Sequence, residues 1–276
     1  MQKLPRDKIH AILKPRQGVF GIYIEDLDGG EVMELNSDHA FPSASLIKLP
    51  MLALLLRDAE QGRLDIHARR RIAKANFVGG FGALAQLPED LSLSYFHLAS
   101  LMITLSDNTA TNEILDAIGV DRFNSFCQEM GWTKTSIARK MMDYAAIKAG
   151  RNNYTSSGEI GRMLSMIARG TLVSASASQT IMDMMALQKC RTKLPLMIPA
   201  VPTYAPEDEM RNIRPGQVLA ANKTGDQYNL QHDVGIFTLP DRRRYVIAFL
   251  SEKLSDDYSG IEAAAKVSLS VYEALK

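Results

Sequence analysis

The sequence predicts an α+β protein: a five-stranded antiparallel sheet flanked by terminal helices, with an all-helical block inserted after the second strand. Three observations predict it. Two β-rich runs open the chain, three more follow residue 217, and residues 43–217 between them carry helical periodicity and helix punctuation. The links between the last three strands are hairpin-length, which implies antiparallel pairing. The division is 1–42 plus 218–276 as a sheet half and 43–217 as a helical half, in one globular unit with a site expected in the crevice between them.

Each element has its own signal. Residues 5–14 place Ile9, Ile12 and Leu13 on one helical face. Gly18 to Asp28 holds Val19, Phe20, Ile22, Tyr23 and Ile24, a strand composition; Asp28-Gly29-Gly30 is a turn, and Glu31 to Asn36 returns. An apolar run from Leu49 to Leu56 marks a helix that Pro50 either kinks near its start or forces to begin later. Ser94–Leu105, Thr109–Ile118 and Asp121–Met130 read as helices, the last two closed by Gly119 and Gly131. Thr155 to Ala168 and Ser174 to Leu187 read the same way. Residues 191–217 are irregular, with five prolines. Val218–Thr224, His232–Leu239 and Arg244–Ser251 read as strands, and Asp257–Leu275 as a final amphipathic helix.

Composition excludes several classes. A chain of 276 residues can bury a substantial core, and 46% hydrophobic with 23% charged residues is ordinary for a globular protein. A net charge of +1 gives no reason to expect nucleic acid. No apolar run reaches the length of about 18 residues that a membrane span needs. The N-terminal residues show no apolar leader segment, so the expected compartment is the cytoplasm, or the periplasm or exterior if a leader has been removed. Cys127 and Cys190 could pair, though buried free thiols are the expected state; no metal-ligand spacing is present, and no cofactor is expected. Gly79-Gly80-Phe81-Gly82-Ala83-Leu84-Ala85 matches a dinucleotide fingerprint but follows no clear strand, so it reads as a surface loop.

The chemistry centres on Ser45-Leu46-Ile47-Lys48. Positions three apart on a helix are neighbours, so Lys48 can approach the Ser45 hydroxyl. A serine becomes a nucleophile when an adjacent base takes its proton. The apolar Leu46, Ile47, Leu49 and Leu52 around Lys48 would lower its pKa by desolvation and make it that base. Ser106-Asp107-Asn108 and Lys223-Thr224-Gly225 follow in order. The five histidines offer no competing triad, and no G-x-S-x-G elbow exists; His232-Asp233 reads as a structural pair opening a strand.

This motif set, in this order and over nearly the whole length, resembles that of class A β-lactamases and penicillin-binding proteins. The resemblance implies a serine hydrolase that forms an acyl-enzyme on Ser45. It makes Lys48 the base, and Ser106 the carrier of the proton to the departing nitrogen. Lys223 would polarise Ser106 and attract a substrate carboxylate, Thr224 would bind that carboxylate, and Gly225 would let substrate lie along the strand edge. The backbone N–H groups of Ser45 and Asp226 would form the oxyanion hole, and Asn108 would hold the substrate's amide side chain. The partner implied is a small-molecule amide or ester, a β-lactam by default.

Two departures qualify this. Class A β-lactamases place a deacylating glutamate on a loop after the helical block; the corresponding stretch, Arg139-Lys140-Met141-Met142-Asp143-Tyr144, has none, and Asp143 is its nearest carboxylate. Arg139 and Asn153 are expected to tie the ends of that loop. Asp226 stands where a small neutral residue is usual, and unless it points away it would repel a carboxylate-bearing substrate. Residues 200–216 look like an insertion and are expected to form a lid or substrate-selecting loop bearing Tyr204. The alternatives to a β-lactamase are an amidase, esterase or peptidase of penicillin-binding type, and a non-catalytic binding module on the same fold.

Overall fold

A computed structural model describes residues 3–276. The elements run α1 (Arg6–Leu13), β1 (Val19–Asp26), β2 (Val32–Leu35), β3 (Phe41–Pro42), α2 (Lys48–Glu60), β4 (Arg69–Arg71) and β5 (Ser92–Ser94). Next come α3 (Tyr95–Thr104), α4 (Asn108–Ile118), α5 (Val120–Glu129), α6 (Tyr144–Lys148), β6 (Tyr154–Thr155), α7 (Ser157–Ala168), α8 (Ala175–Ala186) and α9 (Glu207–Arg211). The chain closes with β7 (Leu219–Gln227), β8 (Leu230–Thr238), β9 (Arg244–Glu252) and α10 (Asp257–Leu275).

The main sheet has the order β2-β1-β9-β8-β7, with every neighbouring pair antiparallel. Its first and last segments in the chain are joined by β1 pairing with β9, from Val19↔Glu252 to Asp26↔Tyr245. Both faces are covered. Successive side chains on a strand point to opposite faces, so Tyr245, Ile247 and Phe249 pack with α1 and α10, while Val246, Ala248 and Leu250 pack against the helical half. The strands are therefore near-continuous in apolar residues, as sheets buried on both sides are.

The expected architecture is present. The boundary at 217 is less sharp than the sequence division drew it: Leu194 and Ile198, from the irregular connector, are buried in the sheet's outer cluster with Val218 and Phe249. The two-residue strands β3 and β6 pair with each other and hold the chain just before the Ser45 turn.

Candidate active site

Ser45 lies in a 3-10 turn, Ala44–Ile47, and α2 begins only at Lys48. Pro50 is thus the third residue of α2, where a backbone N–H has no partner within the helix. Of the two arrangements open from sequence, a kinked helix or a later start, the chain adopts the second. Ala44, immediately before Ser45, has φ +44°, a left-handed conformation that costs a residue with a Cβ about 1–3 kcal/mol. Ser45 itself is buried but reaches a cleft of about 510 Å³, which it lines with Asn108, Met141 and Asp226.

Lys48, Ser106, Asn108 and Lys223 converge behind it. The Lys48 amine donates to Ser106 O at 2.6 Å, Ser106 Oγ at 3.1 Å and Asn108 Oδ1 at 2.9 Å. The Lys223 amine donates to the same Ser106 Oγ at 3.1 Å and to Thr224 O at 2.8 Å. Both lysines are fully buried. Burial, then the nearby Lys223 charge, holds Lys48 well below the ordinary lysine range, and burial lowers Lys223 to about 8. Lys48 makes its hydrogen bonds to the 106–108 motif and none to Ser45, so the predicted direct hydrogen bond is not made in this arrangement.

Ser106 is delivered by the junction of α3 and α4, itself at φ +56°. Asp107 caps α4 by accepting from the Ala110 N–H and, with its other oxygen, accepts from the Ala83 and Leu84 N–H groups. The glycine-rich stretch read as a surface loop therefore covers this motif. Gly79 O accepts from Asn108 Nδ2 at 3.1 Å, and a methyl at Gly82 would lie 2.3 Å from the Asp107 carboxylate.

The third side of the cleft is β7, the edge strand. Opposite Asp226 stands Gln231, whose N–H donates to Ser251 Oγ and whose C=O accepts from it, both on the β9 side. Antiparallel pairs alternate, so this pair is not hydrogen-bonded and the Asp226 N–H turns outward from the free edge. A methyl at Gly225 would lie 3.2 Å from Ala44 Cβ, so the strand edge runs directly against the Ser45 turn. Thr224 is buried and shares a face of β7 with Asp226. The Asp226 carboxylate is not free: fully buried Lys193 holds it at 2.6 Å.

The remaining wall is the 139–154 loop. Asn153 Oδ1 accepts from the Ala138 and Arg139 N–H groups and its Nδ2 donates to Arg139 O; the Arg139 guanidinium donates to Asn152. The loop ends are tied as expected, though through the Arg139 backbone. Asn112 clamps Met141 by accepting from its N–H and donating to its carbonyl, and Met141 is among the residues that line the cleft.

Comparison with known proteins identifies the frame. The profile of the Beta-lactamase enzyme family matches residues 4–275. The chain belongs to the beta-lactamase enzyme family. A β-lactamase of Streptomyces fradiae is 25% identical over 257 residues, 91% of this chain and 79% of that one. The solved structure of PBP-A is 27% identical, with TM-score 0.84, covering 98% of this chain and 95% of the other. A glutamate-for-leucine variant of PBP-A, solved as an acyl-enzyme with penicillin G, gives 27% identity and TM-score 0.83 over 99% and 97% of the two chains.

Within this family frame, three expectations change. Asp143 spends its carboxylate capping α6, accepting from the Ala146 N–H at 2.9 Å, and does not line the cleft. Residues 200–216 form no lid: Met210 and Val201 pack against Leu187 beyond the end of α8, Tyr204 is 89% exposed, and none of the segment lines the cleft. His232 is not paired with Asp233; it bonds to Pro42 O and accepts from the Ser251 N–H, and burial lowers it to about 4. Both cysteines are free thiols, Cys127 buried and Cys190 partly so. Among the described residues no cluster of metal-ligating side chains occurs, and no helix is long and apolar enough to cross a membrane. Sequence reasoning missed Lys193. Its only local signal is a lysine between Thr192 and Leu194 in an irregular stretch, because its partner lies 33 residues on.

Proposed function

We propose that this protein is a serine hydrolase that opens β-lactam amides through an acyl-enzyme on Ser45 and releases the acyl group slowly. The observation that carries the reading is the pair of lysine amines, Lys48 and Lys223, both at 3.1 Å from Ser106 Oγ.

Ser45 Oγ attacks the lactam carbonyl carbon, and its proton passes to Lys48, which as a neutral amine gives up one of its three hydrogen bonds to the 106–108 motif and turns that lone pair to Ser45. The developing oxyanion is met by the Ser45 and Asp226 N–H groups; one such donor is typically worth about 2.7–4 kcal/mol. As the C–N bond breaks, Ser106 gives its proton to the nitrogen and is replenished from Lys48. The Lys223 ammonium makes Ser106 a better donor. Positioned proton transfer of this kind contributes roughly 10²–10⁴-fold.

Slow release follows from the 139–154 wall, where Met141 and Met142 line the cleft and no carboxylate does. The same feature favours a second reading, an amidase or esterase of penicillin-binding type acting on a non-lactam substrate. Intact-protein mass spectrometry after exposure to penicillins and cephalosporins tests the first. The expected result is a stoichiometric adduct that Ser45→Ala abolishes. An adduct formed only with esters or non-cyclic amides supports the second reading, and no adduct with any acyl donor overturns both.

A further inference from the structure

We infer that Asp226 and Lys193 make this cleft select acyl donors whose leaving half is uncharged, ending in a hydrogen-bond donor such as a carboxamide, over donors whose leaving half carries a carboxylate. The inference rests on the acyl-enzyme reading and names the substrate class of that site.

Most of the hydrogen-bonding capacity of the cations beside β7 is already committed. An ammonium has three donors. Lys193 spends its three on Asp226 Oδ1 at 2.6 Å, His232 O at 3.0 Å and Gly225 O at 3.5 Å, and it is fully buried beneath the strand. Lys223 spends two on Ser106 Oγ and Thr224 O, which leaves one donor on a fully buried amine. Arg139 also lines the cleft, but its guanidinium turns to Asn152 and Lys140 O.

What reaches the cleft from this face is the acid. Asp226 is 27% exposed and lines the cleft with Ser45. It shares its strand face with Thr224, so a group seated on Thr224 lies beside the Asp226 carboxylate. A carboxylate there meets a like charge; a carboxamide N–H meets an acceptor. The mouth also carries exposed rings, Phe81, Tyr144 and Tyr228 at 47%, 67% and 88% exposure. These rings suit an aryl or alkyl acyl half. In the reaction, the Ser45 Oγ–acyl bond forms, the bond to the leaving oxygen or nitrogen breaks, and that atom takes the Ser45 proton by way of Lys48 and Ser106.

The test uses two matched esters, phenylacetyl-glycyl-D-lactate and phenylacetyl-glycyl-D-lactamide, with single-turnover acylation of the full-length protein followed by mass spectrometry. The lactamide ester is expected to acylate at least tenfold faster. In Asp226→Ser, Lys193 is released and the lactate ester should gain tenfold or more, a gain that Asp226→Ser with Lys193→Met should lose. Asp226→Asn, which keeps the side chain's shape, should reduce the discrimination in the same direction. Equal rates for the two esters in the unaltered protein, or a ratio that Asp226→Ser and Asp226→Asn leave unchanged, overturns the inference while the acyl-enzyme stands. Absence of an adduct with either ester and with every β-lactam overturns both.

Discussion

At the scale of single residues, the site is held in shapes that cost energy. Ala44, Ser106 and Met142 all have left-handed backbones, at φ +44°, +56° and +64°; Ala44 and Met142 line the cleft, and Ser106 meets Lys48 behind it. Strain persists where its surroundings over-determine it; here Asp107, Asn108 and Asn112 supply the side-chain hydrogen bonds that do so. Charge is arranged with equal economy. Lys48 must be neutral to accept a proton, and Lys223 must be charged to polarise Ser106. Because burial lowers Lys223 to about 8, the acylation rate should fall as pH rises through that value. Lys223→Arg, whose guanidinium stays charged, should move the falling limb upward by more than one pH unit; a limb that stays in place would assign it to another group. The wall opposite gives a second prediction. Met141→Glu puts a carboxylate at a position that lines the cleft, and the acyl-enzyme lifetime should shorten at least tenfold. Asp143→Asn should leave that lifetime unchanged, because asparagine caps α6 as well as aspartate does, whereas Asp143→Ala should cost about 1 kcal/mol in a denaturant titration.

At the scale of elements, punctuation residues explain what the sequence made legible. Ser94 caps α3, accepting from the His97 N–H while its own N–H donates to His97 Nδ1, and Gly119 closes α4, so these boundaries could be read within a residue or two. The two-residue pair β3–β6 and the five-residue α6 could not, because they are too short to show a period and the β3–β6 pairing joins segments over a hundred residues apart. Pro50 was legible as a constraint but not as a choice, since the option of ending the Ser45 turn in 3-10 form depends on β7 packing against it. Close approach between elements is the other thing that pattern hides. Gly161 reads as an ordinary helical glycine, yet a methyl there would lie 2.2 Å from Tyr23 Cδ1, where α7 crosses β1. Gly161→Ala gains helix propensity of about 1 kcal/mol and overpacks a buried contact at a typical cost of about 1–3 kcal/mol. The net effect should be a lowered denaturation midpoint, with acylation at Ser45 retained; a raised midpoint would mean Tyr23 moves freely, against its hydrogen bond to buried Glu25.

At the scale of the whole molecule, the sheet joins two cores, and the site forms where the helical core meets the edge of that sheet. The order of motifs along the chain announced this convergence, because a serine, a lysine pair and an edge-strand triplet have no use for one another unless the fold brings them together. The Lys193–Asp226 pair stayed hidden because it is a contact between an irregular connector and a strand, and no periodicity links them. The same connector carries α9, and here topology allows a direct test of whether it matters to the site. The chain leaves at Val201, whose N–H donates to Val218 O at 3.2 Å, and returns at Val218, so the excursion begins and ends at adjacent positions. Replacing residues 203–216 with a short Gly/Ser turn therefore need not strain the sheet. It removes Met210 from its small cluster with Leu187 and Val201, which should lower the thermal midpoint by a few degrees, about what 1–2 kcal/mol costs a chain of this size. It removes nothing that lines the cleft. Acylation should stay within about twofold of the unaltered protein for both small and bulky acyl donors. A tenfold loss confined to bulky donors would restore a substrate-covering role to the segment and require it to move from the position it holds here.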